Sequence, residues 1–130
     1  MIFGIGTDIV EISRIAKATK SRGFLAKCFT QTEIGRCNAR GVTANENFAG
    51  YFAAKEAVAK ALGTGFRGFL PRDIEIYHDD LGKPFVCLAE HIIIPNGTIS
   101  IHISISHGRE YANAMAVIEV RPCKGDTLGK

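Results

Sequence analysis

Tryptophan is absent from this chain of 130 residues, tyrosine occurs three times, and proline and cysteine four times each. With so few flat side chains, no aromatic platform for stacking bases is expected. The four cysteines, Cys28, Cys37, Cys87 and Cys123, form no C-x-x-C pair and do not cluster. Zinc sites need ligands in tight pairs and disulfide frameworks need an oxidising compartment, so reduced thiols are expected instead. Apolar runs stay at a few residues, which leaves no transmembrane helix to expect. No cationic start followed by an apolar stretch marks a signal peptide, and the expected location is the cytoplasm. Sixteen Lys and Arg against thirteen Asp and Glu give a net charge of +3, too mild for binding nucleic acid through bulk charge. Neither nucleic acid nor a membrane is an expected partner.

What is present is the composition of an ordinary globule, 46% hydrophobic and 22% charged, long enough to hold one core unaided. A single domain is expected over residues 1–121, with 122–130 as a C-terminal tail. Residues 2–6 read as a strand and Val10–Lys20 as a helix, with Ile12, Ile15 and Ala16 inward and Gly23 as a stop. Thr30-Gln31-Thr32-Glu33 is a capping box, flanked by Phe29 and Ile34 at the positions of a hydrophobic staple. A longer helix spans about Glu46–Leu62 and closes on Gly63. The period then changes to two. Asp73–Tyr77 and Phe85–Leu88 make a hairpin, Thr98–Ser106 alternates Ile with Ser and His, and Ala114–Val120 is a last strand. Residues 89–95 fit a strand or a short helix equally. The class is α+β, helices packed on an antiparallel sheet.

The 46–62 helix carries most of the chemistry. Phe48, Tyr51, Phe52, Val58, Ala59 and Leu62 form a broad apolar face, and the other side is almost all Ala and Gly. Lys55 projects near the centre of the aromatic face, whereas Glu56 and Lys60 share one edge. A helical-spacing ion pair explains Glu56 and Lys60, yet such a helix has almost no polar surface for one. Asp8 has two readings. It is spaced from Glu11 as an N-cap, and with Glu56 it would supply two hard oxygen ligands to Mg²⁺. Gly63-Thr64-Gly65-Phe66-Arg67-Gly68 matches G-x-G-x-x-G but follows a helix, so it is no dinucleotide fingerprint. It is a C-cap and loop that could admit a phosphate beside Lys60. His107, at a strand end, is a structural or a functional histidine.

Several of these segments together resemble one family. Gly4-Ile5-Gly6-Thr7-Asp8-Ile9-Val10-Glu11-Ile12 with Arg14-Ile15, then Phe52-Ala53-Ala54-Lys55-Glu56-Ala57 with Lys60-Ala61 and Gly63-Thr64-Gly65, are similar to motifs of the holo-[acyl-carrier-protein] synthases, small bacterial 4′-phosphopantetheinyl transferases. Gly82-Lys83-Pro84 and Ser104-Ile105-Ser106-His107 with Tyr111-Ala112 follow in the family's order. The resemblance implies a 4′-phosphopantetheinyl transferase-like fold, with Mg²⁺ on Asp8 and Glu56 and coenzyme A as co-substrate. It also implies transfer of the phosphopantetheine arm to a serine of acyl carrier protein, with release of adenosine 3′,5′-bisphosphate. Lys60 then meets phosphate or leaving group beside Gly63, Thr64 and Gly65, His107 lies near the coenzyme phosphates, and Lys83-Pro84 walls the adenine. A homotrimer with intersubunit sites is implied too. Apolar surplus for it is expected on the alanine side of the long helix and the isoleucine face of 98–106. An acidic carrier would dock on Arg14, Lys17 and Lys20 of the first helix, with Arg22 just beyond it. One position departs: the family usually carries Arg where this chain has Tyr51, so a compensating base is expected from Arg67 or the 36–45 segment. A Mg²⁺-dependent nucleotide or pyrophosphate hydrolase, or a non-enzymatic module docking an acidic partner, are the alternatives.

Overall fold

The computed structural model describes residues 1–123. In chain order the elements are β1 (Ile2–Glu11), α1 (Ile12–Ala18), α2 (Arg22–Cys28), α3 (Gln31–Asn38), α4 (Ala44–Leu62), β2 (Ile74–His78), β3 (Pro84–Leu88), β4 (Thr98–His107) and β5 (Tyr111–Arg121). Short 3₁₀ turns precede α4 and β2. β1, β5 and β4 form an antiparallel sheet in that order, and β2 with β3 forms a separate hairpin. This is the expected α+β class. Most of the proposed tail, residues 124–130, lies outside the described residues.

Sheet and long helix are shaped for each other. Along β1 the residues Gly4, Gly6, Asp8 and Val10 turn inward, since successive side chains point to opposite faces of a strand. Gly4 and Gly6 have no side chain because α4 leaves no room for one. A Cβ on Gly4 would lie 1.9 Å from the Ala61 carbonyl oxygen, and one on Gly6 would lie 2.0 Å from that of Ala57. On β5 the inward residues are Ala112, Ala114, Ala116 and Ile118, all buried. The small-residue side of α4 is therefore consumed inside the protomer. The isoleucines of β4 pack against the same core. The other side of α4 carries its aromatics: Phe48 meets Phe29 edge-on at 5.1 Å, Phe52 lies 5.8 Å from Phe24, and Tyr51 stacks on His78.

The apolar surplus lies elsewhere than expected. On the outer face of β1 and β5, Phe3, Ile5, Ile9, Tyr111 and Met115 stand in the open, Ile5 at 70% and Ile9 at 64% exposure. The alanine side of α4 is buried within the protomer and offers none of it, while the β4 isoleucines stay half-buried against the same core.

The capping box is present: Thr30 Oγ1 accepts from the Glu33 N–H, and the Glu33 carboxylate accepts from the Thr30 N–H. Glu33 does more than cap. Wholly buried, it also accepts from Lys55 Nζ at 2.8 Å and from the Ile76 N–H at 2.7 Å. Lys55, equally buried, donates further to the carbonyls of Pro71 and Ile74. Burial lowers the Lys55 pKa, and the Glu33 carboxylate opposes that shift. The pair ties α3, α4 and the start of β2 together, with every strong polar group satisfied.

Three local expectations are corrected. β1 continues to Glu11 and α1 begins only at Ile12, so Asp8 sits within a strand and caps nothing; Glu11 is the N-cap residue and makes no side-chain cap bond. The ladder with β5 pairs every residue from Gly4 to Glu11, and that non-local pairing outweighs a local cap. Gly23 does not stop a helix: it lies inside α2, whose N-cap Ser21 accepts from the Phe24 N–H. Residues 89–95 are neither strand nor helix, with a turn at Glu90-His91 and Ile92 buried behind it. As expected, α4 closes on Gly63 with φ 84°, a left-handed conformation suited to glycine.

Candidate active site

β1 and α4, held close by the two glycines, bring three of the expected residues together. Asp8 projects from the inner face of β1 opposite Ala114 and is 17% exposed. Lys60, in the last turn of α4, donates to its Oδ1 at 3.1 Å and to the Thr7 carbonyl at 2.8 Å. Glu56, one turn earlier on α4, lines the same cleft as Asp8. The helical ion pair expected between Glu56 and Lys60 does not form among the described residues. Asp8 is the partner that Lys60 reaches instead, because β1 crosses α4 at that turn.

The electrostatics follow from that placement. Burial raises the Glu56 pKa, the Asp8 carboxylate raises it further, and Lys60 opposes both. Asp8, Glu11 and Glu56 line one cleft with Arg14, and Lys60 bonds to Asp8 at its edge, so carboxylates outnumber cations there. Among the described residues no group of three or more His, Cys, Asp or Glu is arranged to hold a metal. A cation held by Asp8 and Glu56 alone would take its remaining ligands from water or substrate oxygens. Magnesium binds in that way, through one or two carboxylates plus phosphates, so the donor set fits it.

The cleft has a volume of about 580 Å³ and is lined by Asp8, Glu11 and Glu56, by Arg14 and Ile15 of α1, and by Phe24, Phe52 and Tyr111. Its wall is therefore part acidic and part apolar, with Arg14 among them. Lys17, Lys20 and Arg22 are exposed, while Ile12 and Ile15 are buried, as the helix periodicity requires. Of these rings, Phe52 was legible as part of the apolar face of the long helix and Tyr111 only within the family motif; Phe24 carried no signal, because its place beside Phe52 depends on how α2 folds back.

The remaining expected residues are distributed differently. Gly63 and Gly65 spend their N–H groups on the carbonyls of Lys60 and Ala59, and Thr64 Oγ1 donates to the Gly65 carbonyl. That loop is a helix cap adjoining Lys60. Lys83 and Pro84 open β3 and line a cleft with His102 and Ile103 of β4. His107 ends β4, exposed, its Nδ1 3.4 Å from the Gly108 carbonyl. None of these three lines the carboxylate cleft of its own chain. Of the bases expected to compensate for Tyr51, Arg36 and Arg40 share a second cleft with it, and Arg67 lines neither cleft.

Residues 4–116 match the model of the 4′-phosphopantetheinyl transferase superfamily. The holo-[acyl-carrier-protein] synthase of Fusobacterium nucleatum is 51% identical over 122 residues, covering 91% of this chain and 99% of the relative. The chain belongs to the holo-[acyl-carrier-protein] synthase family. The synthase of Clostridium novyi is 54% identical over 92% of this chain and 89% of its own. Among solved synthases, that of Bacillus anthracis in complex with coenzyme A (3′,5′-ADP) superimposes with a TM-score of 0.79 at 38% identity, over 93% of this chain and 99% of the other. The Helicobacter pylori synthase in complex with coenzyme A gives 0.74 at 32% identity, over 88% and 99%. As a holo-[acyl-carrier-protein] synthase this chain is a phosphopantetheinyl transferase, and its fold is that of the transferase family. Among the described residues, no helix is long and apolar enough to cross a membrane.

Proposed function

We propose that the enzyme transfers the 4′-phosphopantetheine arm of coenzyme A to a serine of apo-acyl carrier protein, with Mg²⁺ on Asp8 and Glu56. The serine oxygen bonds to phosphorus, the bond from that phosphorus to the adenosine bisphosphate oxygen breaks, and the hydroxyl proton passes to solvent. When bound, Mg²⁺ neutralises charge on the pyrophosphate oxygens as the leaving group separates. Asp8 and Glu56 hold the donor end in place from two different elements, so the approach of β1 to α4 sets its position. Lys60 swings from Asp8 to the phosphate oxygens, and its ammonium stabilises the adenosine 3′,5′-bisphosphate as it leaves. Gly63, Thr64 and Gly65 contribute close approach beside Lys60 more than donors. The observation that carries the reading is the shared cleft of Asp8 and Glu56, with Glu56 held above the usual carboxylate range.

Acyl carrier protein docks along α1. Arg14 lies in the cleft wall itself, and Lys17, Lys20 and Arg22 continue a basic edge that complements an acidic partner. The working unit is a homotrimer with each site between two protomers, joined through the outer face of β1 and β5. His107, Lys83 and Pro84 then serve a neighbouring protomer's cleft, which accounts for their distance from their own. The reaction takes place in the cytoplasm, where carrier and coenzyme meet.

Mass spectrometry of purified carrier protein after incubation with enzyme, coenzyme A and Mg²⁺ tests the reading. The expected result is a carrier heavier by one phosphopantetheine arm. Coenzyme A cleaved without any carrier gain would make the chain a hydrolase, and no change in either would leave a docking module.

A further inference from the structure

The chain has five asparagines, and Asn96 is placed unlike the others. Asn38 lies in α3, Asn45 and Asn47 in α4 and Asn113 in β5, and each is followed by a residue with a side chain. Two of their side chains are also tied down: the Asn47 amide donates to the Thr43 carbonyl, and Asn113 Oδ1 accepts from Ser106. Asn96 stands exposed in the irregular segment before β4, and its successor is Gly97. Neither the Asn96 amide nor the Gly97 N–H makes a hydrogen bond among the described residues. The glycine is obligatory. Its φ is 110°, and a Cβ on it would lie 2.0 Å from the Arg121 carbonyl oxygen. Packing against the end of β5 therefore keeps an uncrowded, unbonded N–H directly after an unbonded side-chain amide. The segment is anchored on both sides. The Ala89 N–H donates to the Asp73 carbonyl at 2.9 Å, Ile92 is buried, and Thr98 pairs with Arg121 as the first step of the β4–β5 ladder.

We infer that Asn96 is a site of spontaneous deamidation and isomerisation, and that the isoaspartate it yields loosens the start of β4. The side-chain amide is a thermolabile group, and the following N–H is its internal nucleophile. The Gly97 nitrogen gives its proton to hydroxide and bonds to Asn96 Cγ. The Cγ–Nδ2 bond breaks, Nδ2 takes a proton from water and leaves as ammonia, and a succinimide ring remains. Water then opens the ring at either carbonyl. Breaking the bond from Cγ to the Gly97 nitrogen leaves aspartate on the normal main chain. Breaking the bond from the α-carbonyl to that nitrogen leaves isoaspartate, whose main chain runs through Cγ and is longer by one methylene. Both products add a carboxylate to a chain of net charge +3. Only isoaspartate adds length, and it does so between the buried Ile92 and the Thr98–Arg121 pair, so the end of the ladder must shift to take up the slack.

Ageing of the full chain tests this. Wild type and Asn96→Gln are held folded in mildly alkaline buffer, a further wild-type sample is held in urea, and ion exchange with mass spectrometry of digested peptides follows all three. The folded wild type is expected to yield a more acidic species, modified at Asn96 alone, as two isomeric peptides, at a rate that rises in proportion to hydroxide. Asn96→Gln would need a larger ring and should lose that species, while melting like the wild type because the Asn96 side chain is exposed and unbonded. The purified isoaspartate form should melt several degrees below the unmodified chain, and Asn96→Asp should melt with the unmodified chain. Modification of Asn96 in urea but not in the folded chain would overturn the inference, as would a faster reaction at any of the other four asparagines. An isoaspartate form that melts with Asn96→Asp would overturn the effect on β4.

Discussion

Gly6→Ala probes the contact on which the site depends. A Cβ at this position would lie 2.0 Å from the Ala57 carbonyl oxygen and 2.9 Å from both the Ala61 nitrogen and Lys60 Cβ, where real contacts do not fall below 3.0 Å. The nearest atom is helix backbone and cannot rotate aside, so β1 must back away from α4 by about 1 Å. Overpacking of that kind costs about 1–3 kcal/mol, which for a domain of this size lowers the melting temperature by roughly 3–12 °C. Asp8 is two residues along the same face and moves with the strand, whereas Glu56 stays with the helix. A displacement of about 1 Å in reacting groups is worth on the order of a hundredfold in rate. Thermal unfolding followed by circular dichroism, alongside carrier-loading kinetics, measures both effects. Gly35→Ala is the control, because a Cβ there meets nothing within 4 Å in the middle of α3, and it should be neutral or gain up to about 1 kcal/mol. If Gly6→Ala melts and turns over like the wild type, β1 and α4 do not approach as described. If it melts lower but keeps full rate, the strand–helix spacing does not govern the carboxylate pair.

Three further substitutions separate stability from function. The raised Glu56 pKa means that ionising it opposes folding, a penalty absent below its ordinary value of about 4.5 and fully present once pH exceeds the raised folded value. Glu56→Gln should therefore melt higher than wild type at neutral pH without Mg²⁺, match it in acid, gain nothing from Mg²⁺ and fail to load carrier; melts from pH 4 to 8 with and without Mg²⁺ check the first three, and the mass of the carrier checks the fourth. Lys55→Met strands the buried Glu33 carboxylate and the Pro71 and Ile74 carbonyls, and should cost about 3–5 kcal/mol by urea unfolding, with Glu33→Gln in the same chain recovering part of the loss. Arg14→Glu with Lys17→Glu should raise KM for carrier protein at least several-fold, leave KM for coenzyme A nearly unchanged and flatten the dependence of rate on salt; equal effects on both substrates would move the docking surface off α1.

Features set by near neighbours in the chain were legible in the sequence. The Thr30–Glu33 box, the Gly63 stop, the all-round burial of α4 and the Ile/Ser alternation of β4 each need only a few consecutive residues to declare themselves. What escaped depends on pairing across the chain. Asp8 and Glu11 have the spacing of a cap, and only the ladder to residues 111–118 of β5 makes the segment a strand. Lys55 could be placed on the aromatic face but not partnered, because Glu33 lies 22 residues away on another helix. α2 was hidden by the glycine inside it. In the site, Asp8, Glu56 and Lys60 could be singled out by residue type and position, but the Lys60–Asp8 contact could not. The alanine side of α4 was misread for the same reason: its burial in the protomer depends on how closely β1 approaches it.

β1 carries the acid on one side and the exposed apolar stripe on the other, and its two-residue period makes those two properties inseparable. Gain or loss of one residue between Ile5 and Asp8 would put both on the same face, either turning the carboxylate out to solvent or pressing Ile5 against α4. Either outcome would spoil the acid or the outer face, so this stretch should tolerate substitutions at Thr7 far better than any insertion. The irregularity between Ile2 and Gly4 is the one place where the ladder with β5 already accommodates a slip. Natural length variation in this strand, and any tag or linker fused in front of it, is therefore best absorbed on the Met1 side of Gly4.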